Sequence, residues 1–335
     1  MLVRTVRDAA TPGHNAATSG TAAVLAGPRH VTIGAADIPE LQPDQVLIEL
    51  EGCGLCGSNL PVWQGRPWFS YPLESGAPGH EGWGRIAALG PGVSRLRLGQ
   101  RVAALSYRAF ARFDVAAADA VAELPEELAG RPFPAEPLAC ALNVFRRSDV
   151  RPGQRVAIVG CGFLGCLLAG LANAAGAGVA AFSRRRFALE AAASQGAEQL
   201  IELPGGDLSS AVAQAGGEES FDCVIEATGI QEALDLASRL VRVRGRLVIA
   251  GYHQDGPRQI NLQQWNWKGL DVINAHERDP RVYVEGMESA IDAVRRGVLR
   301  PDPLYTHAFQ LDELARAFEH LEQRPEGFLK AVVYS

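Results

Sequence analysis

The sequence predicts an α/β chain of two parts: a doubly wound parallel sheet over residues 144–296, and a mostly β domain over residues 21–143 and 297–335. Three observations predict it. From Pro152-Gly153 onward, apolar strand-like runs alternate with helical segments, the pattern of parallel strands joined by crossover helices. The turn Gly160-Cys161-Gly162-Phe163-Leu164-Gly165 lies between the first of those strands and the first of those helices. Upstream, short strand candidates are broken by Gly and Pro, as in Gly76-Ala77-Pro78-Gly79 and Gly90-Pro91-Gly92.

In chain order, residues 1–20 are small and polar and read as a flexible leader. Residues 46–50, 101–105 and 111–115 read as strands of the first domain. In the second, strands are expected at 155–159, 179–182, 199–202, 221–226 and 246–250. Helices are expected between them at 163–175, 186–195, 208–215 and 231–241, with a further helix at 285–296. Residues 308–310 and 331–333 return to strand character, which sends the tail back to the first domain.

Composition narrows the function. A chain of 335 residues that is 47% hydrophobic can bury two cores. Its net charge of -6 argues against a nucleic-acid partner, which requires a basic face. No run approaches the ~18 apolar residues of a membrane span, so no membrane partner is expected. The N-terminus opens no apolar signal stretch, which points to a cytoplasmic location. The six cysteines are then expected to be reduced, and metal binding becomes the better use for a thiol near His and Glu. Lysine occurs only at Lys268 and Lys330; arginine carries most of the positive charge.

The glycine turn points to a dinucleotide of the Rossmann type. Gly160 permits a tight turn, Gly162 lets backbone approach a pyrophosphate, and Gly165 lets helix and strand pack closely. The helix that begins at Phe163 and Leu164 offers unpaired N–H groups to the phosphates. The next strand ends at Ser183, followed by Arg184 and Arg185, where an NAD site would carry Asp or Glu. A hydroxyl and guanidinium groups suit a 2′-phosphate, so NADP(H) is expected over NAD(H).

The first domain supplies Cys56, Ser58 and Asn59, then His80 and Glu81, then Glu136 before Pro137. A thiolate, an imidazole and carboxylates are the ligand types zinc takes, and a catalytic zinc keeps one position open. Singly, each has an ordinary structural use, and the sequence does not prove that they converge.

With these motifs in their order, the chain resembles the zinc-dependent alcohol and polyol dehydrogenases of the medium-chain dehydrogenase/reductase superfamily over residues 21–335. Glu136 precedes Gly160 by 24 residues, similar to the polyol branch. The resemblance implies a GroES-like catalytic domain beside the Rossmann domain, one catalytic zinc, a small-molecule alcohol or carbonyl substrate, and a homodimer or homotetramer. It implies that Cys56 and His80 bind the metal, and that Glu81 and Glu136 bind it or hold its water. It implies that Ser58 starts a proton relay, and that Thr228, Gly251 and Asn274 line the cofactor cleft. No cysteine occurs between Gly99 and Cys140, so the second, structural zinc of many relatives is not expected. Asn59 stands where the family usually has Asp as partner of the metal-bound histidine; its carbonyl could accept that N–H. Pro61 stands where some relatives end the relay with histidine. Trp63, Trp68 and Phe69 could wall a substrate pocket, whereas Trp265 and Trp267 suit a core or an interface. Two other readings remain: a zinc-free quinone or enoyl reductase of the same superfamily, and a catalytically silent nucleotide-binding protein.

Overall fold

The computed structural model describes residues 19–203 and 208–335. The N-terminal part holds β1 (Ser19–Gly27), β2 (His30–Asp37), β3 (Gln45–Leu55), β4 (Gly82–Leu89), β5 (Arg101–Ala104), β6 (Phe113–Ala117) and β7 (Val121–Glu123). The second part holds β8 (Arg155–Val159), β9 (Gly178–Ser183), β10 (Gln199–Glu202), β11 (Phe221–Glu226), β12 (Val241–Ile249) and β13 (Asp271–Asn274). The chain closes with β14 (Tyr305–Gln310) and β15 (Lys330–Tyr334).

Strands β8 to β13 form one parallel sheet in the order β10-β9-β8-β11-β12-β13. This is the doubly wound order, whose direction reverses between β8 and β11; ligands bind in the crevice that the reversal opens at the strands' C-terminal ends. The central strands are fully buried apolar runs, Val156 to Val159 and Cys223 to Ile225, because helices cover both faces. The helix Phe163–Ala174 is apolar nearly all round and buried over most of its length, as a helix wedged against a sheet must be.

The other sheet runs β14-β15-β3-β4-β5-β7, with β6 also on β3. β15 lies antiparallel to β3, with Ala331 opposite Leu55, so the tail does rejoin the first domain. That pairing puts Lys330 next to the end of β3, where the metal-ligand segment begins.

Several expectations needed correction. Ser19 and Gly20, assigned to the leader, begin β1; the leader's other residues, 1–18, lie outside the described ones. The last long helix spans Pro280–Arg295, five residues longer at its start than expected. Its signal was the Asp279-Pro280 pair: the Asp279 side chain accepts the Arg281 N–H, and Pro stands at the first helical position. The helix Ala135–Ser148 was not anticipated, and it runs through the expected boundary at 143–144. It packs against Pro280–Arg295 and carries Glu136 in its first turn, between the two sheets.

Both lysines are buried. Lys268 donates to the carbonyls of Ser238, Arg239 and Val241 at 3.0, 3.3 and 3.0 Å, covering the open end of the helix Gln231–Leu240. Trp265 is core, its indole N–H on Ser238 Oγ at 3.0 Å, while Trp267 is exposed. Trp63 is also core: it stacks on Phe318 with centroids 5.0 Å apart and donates to Glu322 at 3.1 Å, so it does not wall a pocket. Trp68 is exposed, tilted against Phe69.

Candidate active site

β3 ends at Leu55 and a single 3-10 turn, Gly57–Asn59, follows. This places Cys56 at the turn's N-terminal cap, half-buried. Asn59 is buried and braces the turn: its Oδ1 accepts the Cys56 N–H and its Nδ2 donates to the Pro78 carbonyl, each at 3.2 Å. The same Pro78 carbonyl lies 2.9 Å from His80 Nδ1. A carbonyl can only accept, so this contact puts a proton on Nδ1 and leaves Nε2 as the nitrogen that a metal could take in place of a proton. The expected bond from His80 to Asn59 is therefore not made. Asn59 acts one step back, holding the carbonyl that orients the imidazole, a job its amide donor performs and a carboxylate could not.

Cys56, His80 and Glu81 converge, their ligand atoms all within 4.8 Å of one another. A zinc ion held at ~2.0–2.3 Å from each donor sets its ligands roughly 3.5 Å apart, inside the 4.8 Å that bounds this trio. The donor set fits: one sulfur, one imidazole nitrogen with its tautomer already set, and one carboxylate. Electrostatics agrees. Burial works against a charged His80, yet the hydrogen bond and charge of Cys56, then the charges of Glu136 and Glu81, outweigh it and hold its pKa at about 10. This pocket of negative groups attracts a cation.

Glu81 is fully buried, and Lys330 Nζ reaches its Oε1 at 2.7 Å and its Oε2 at 2.5 Å. Lys330 also stands 5.1 Å above the Phe163 ring, which stacks on Tyr305. Gly54 makes the room: a Cβ there would lie 1.8 Å from Glu81 Oε2. Glu136 faces the same space. Burial and the Glu81 charge raise its pKa, while His80 opposes them. Its Oε1 accepts from Cys140 Sγ at 3.3 Å, and Cys140 also reaches Tyr283 Oη at 3.8 Å. Ser58 lies on the 3-10 turn, half-buried, its hydroxyl without a partner among the described residues.

The residues read from the sequence as cofactor-binding gather at the C-terminal ends of the parallel strands. Gly160 follows β8 with φ of 105°, and a Cβ there would strike Thr228 Cγ2 at 2.3 Å. At Gly165 a Cβ would lie 1.9 Å from the Gly160 carbonyl, whereas Gly162 faces open space. Those are the three roles read from the turn: a special backbone, a close packing and an open approach. Phe163 is buried and Leu164 half-buried, so they offer the helix's first N–H groups rather than side chains. Thr228 follows β11; its backbone N–H and its hydroxyl both donate to the buried Glu226 carboxylate. Gly251 follows β12, with its N–H on the Glu226 carbonyl at 2.8 Å. Asn274 ends β13, exposed on the same rim.

Motif reading missed the groups behind this rim. Glu226 Oε2 also meets His253 Nε2 at 3.0 Å, and Arg258 Nε donates to His253 Nδ1 at 2.8 Å. Gln254, in the same loop, donates to the Gly57 carbonyl at 3.3 Å, crossing from the nucleotide domain to the turn that bears Ser58.

At the end of β9, Ser183 Oγ accepts the Arg185 N–H at 3.2 Å. Arg184 is exposed. Arg185 turns toward the other domain and donates to the Phe328 carbonyl.

Comparison with known proteins agrees with this geometry. Residues 42–122 match the family model for the alcohol dehydrogenase GroES-like domain, and residues 164–292 match that for zinc-binding dehydrogenases. Together the two models cover more than half of the chain. The chain belongs to the zinc-dependent alcohol and polyol dehydrogenases of the medium-chain superfamily. It is an oxidoreductase that acts on CH–OH groups. Similar curated proteins include D-arabinitol dehydrogenase 1 of Uromyces fabae, 25% identical over 91% of this chain and 94% of that one. Another is the sorbitol dehydrogenase of Bacillus subtilis (strain 168), 25% identical over 93% and 96%. Among solved structures, one described as a zinc-binding dehydrogenase from Sinorhizobium meliloti 1021 bound to NADP is 25% identical. It superposes with a TM-score of 0.83 and covers 95% of this dehydrogenase and 100% of its own chain. No helix among the described residues of the dehydrogenase is long and apolar enough to cross a membrane.

Proposed function

We propose that the protein oxidises a small polyol or alcohol, or reduces the matching carbonyl, with NADP(H) and one zinc held by Cys56, His80 and Glu81. The convergence of those three side chains carries the reading. A bound zinc would supply Lewis-acid polarisation of the substrate oxygen.

The chain's own residues do the rest. Pro78 and Asn59 orient His80, and Lys330 holds the Glu81 carboxylate in place. Glu136 stands beside the site as a further carboxylate for the metal or its water. Ser58, whose hydroxyl has no partner among the described residues, is placed to take the substrate's hydroxyl proton and pass it outward. The turn Gly160–Gly165 binds the pyrophosphate through backbone, and the rim at Thr228, Gly251 and Asn274 places the nicotinamide. The absence of an acid after β9, with Ser183 and Arg184 in its place, favours the 2′-phosphate of NADP(H). The NADP bound to the Sinorhizobium relative supports this, and the arabinitol and sorbitol dehydrogenases support a polyol substrate.

The test combines metal analysis with turnover on a polyol panel. One zinc per chain is expected, with NADP+-dependent oxidation that Cys56→Ser abolishes while NADPH binding persists. Full activity in the metal-free protein or in Cys56→Ser would overturn the zinc reading and favour the zinc-free reductase.

A further inference from the structure

Arg324 is the residue that the end of β9 does not explain by itself. It closes the helix Leu314–Gln323 of the β-rich part in a left-handed conformation, φ 47°, with its N–H on the His320 carbonyl. A left-handed arginine is unusual, since Asn, Asp and Gly fit that conformation with less strain. The bond from Arg185 to the Phe328 carbonyl pulls the segment 324–328 against the end of β9. The turn closed by the Phe328 N–H on the Pro325 carbonyl at 3.0 Å is thereby docked on the end of β9, with Arg184 on one side of the contact in sequence and Arg324 on the other. Neither has a carboxylate partner among the described residues. The pKa of Arg324 is lowered by crowding and then by the charges of Arg185 and Arg184, so the groups are close enough to repel. An anion between them would relieve that repulsion.

We propose that Arg324, with Arg184 and Ser183, forms the site for the 2′-phosphate of NADP(H), so that cofactor choice is made by both domains. The inference rests on the NADP(H) reading above and deepens it. Ser183 Oγ accepts from the Arg185 N–H, which leaves its own proton to donate to a phosphate oxygen. Arg185 acts as the strap that seats the 324–328 segment. A phosphate bridging Arg184 and Arg324 would also tie the two domains together across the cleft, which an adenosine ribose with a free 2′-hydroxyl would not do.

The experiment is a fluorescence titration of the full chain with NADPH and with NADH, at two salt concentrations. The variants are Arg324→Asn, which suits the left-handed backbone, and Arg184→Ala. Wild type is expected to bind NADPH more tightly than NADH. Losing one charge-assisted phosphate contact weakens binding by about tenfold or more, so each variant should lower the NADH/NADPH ratio of Kd by that factor. Each should also flatten the salt dependence of NADPH binding. If Arg184→Ala collapses the ratio and Arg324→Asn leaves it at the wild-type value, the Arg324 proposal is overturned and the NADP(H) reading stands. If wild type shows no preference for NADPH, the NADP(H) reading fails and the proposal fails with it. Should Arg324→Asn not fold, Arg324→Lys keeps the charge but loses the two-pronged fork. A severalfold weaker NADPH Kd in that variant supports the proposal, and an unchanged one overturns it.

Discussion

Replacing Lys330 by Met tests how the metal-ligand segment is held. Lys330 and Glu81 are buried, with Nζ 2.7 Å from Oε1 and 2.5 Å from Oε2. At an effective dielectric constant of about 20, a pair at this distance attracts by ~6 kcal/mol. Taking each ion out of water costs several kcal/mol, so the intact pair is roughly neutral against two apolar residues of the same size. Removing Lys330 alone is another matter, because it strands Glu81 beside Glu136 and Cys56. The expected loss is about 3–5 kcal/mol in the metal-free protein. With ~2.1 cal/mol/K of unfolding entropy per residue, a chain of this length should lose about 4–7 °C in Tm. The assay is thermal unfolding after chelation and again with zinc added. Zinc should narrow the gap, since a cation on Glu81 replaces the missing ammonium. The double variant Lys330→Met, Glu81→Gln should recover most of the chelated loss, because no charge is then left unpaired. A Lys330→Met protein that melts with wild type in chelator would refute the reasoning, and so would a double variant no better than the single one.

Other perturbations follow from the same contacts. Gly54→Ala sets a Cβ 1.8 Å from Glu81 Oε2, so Glu81 must move; zinc content by metal analysis should fall and stability should drop by ~1–3 kcal/mol in urea unfolding. Asn59→Asp, although it restores the residue usual in the family, sets a carboxylate oxygen against the Pro78 carbonyl at the position of the lost amide donor. We expect weaker zinc retention in a chelator competition, with ~1–3 kcal/mol lost, and tighter retention would show that His80 turns to the new acid instead. Gly165→Ala places a Cβ 1.9 Å from the Gly160 carbonyl and should weaken NADPH by at least tenfold while zinc content holds, read by titration and metal analysis.

Much of the nucleotide domain was legible because its physics is local. Buried parallel strands are continuous apolar runs, and the helices between them start and stop on short-range signals, so β8 and β11 were read to their observed ends. Where local signals were overlooked, elements were missed. The Asp279-Pro280 cap was one, and the helix Ala135–Ser148, read only as a carrier of Glu136, was another. The hairpin of β1 and β2 gave no alternation strong enough to separate it from the polar leader.

The site divides along the same line. The sequence by itself determined the chemistry available: Cys56, His80, Glu81 and Glu136 as ligand types, the three glycine roles at Gly160, Gly162 and Gly165, and the missing acid after β9. Those follow from residue identity and short spacing, which a chain carries without being folded. The tertiary structure decided who holds whom. Lys330 reaches Glu81 across 249 residues only because β15 pairs with β3. His80 is oriented by a backbone carbonyl, and Asn59 by the same one, since the turn and the loop before β4 close on each other. Arg185 reaches the Phe328 carbonyl because the two domains touch there. Such contacts depend on side chains brought together by long-range pairing, and no pattern along the chain encodes them.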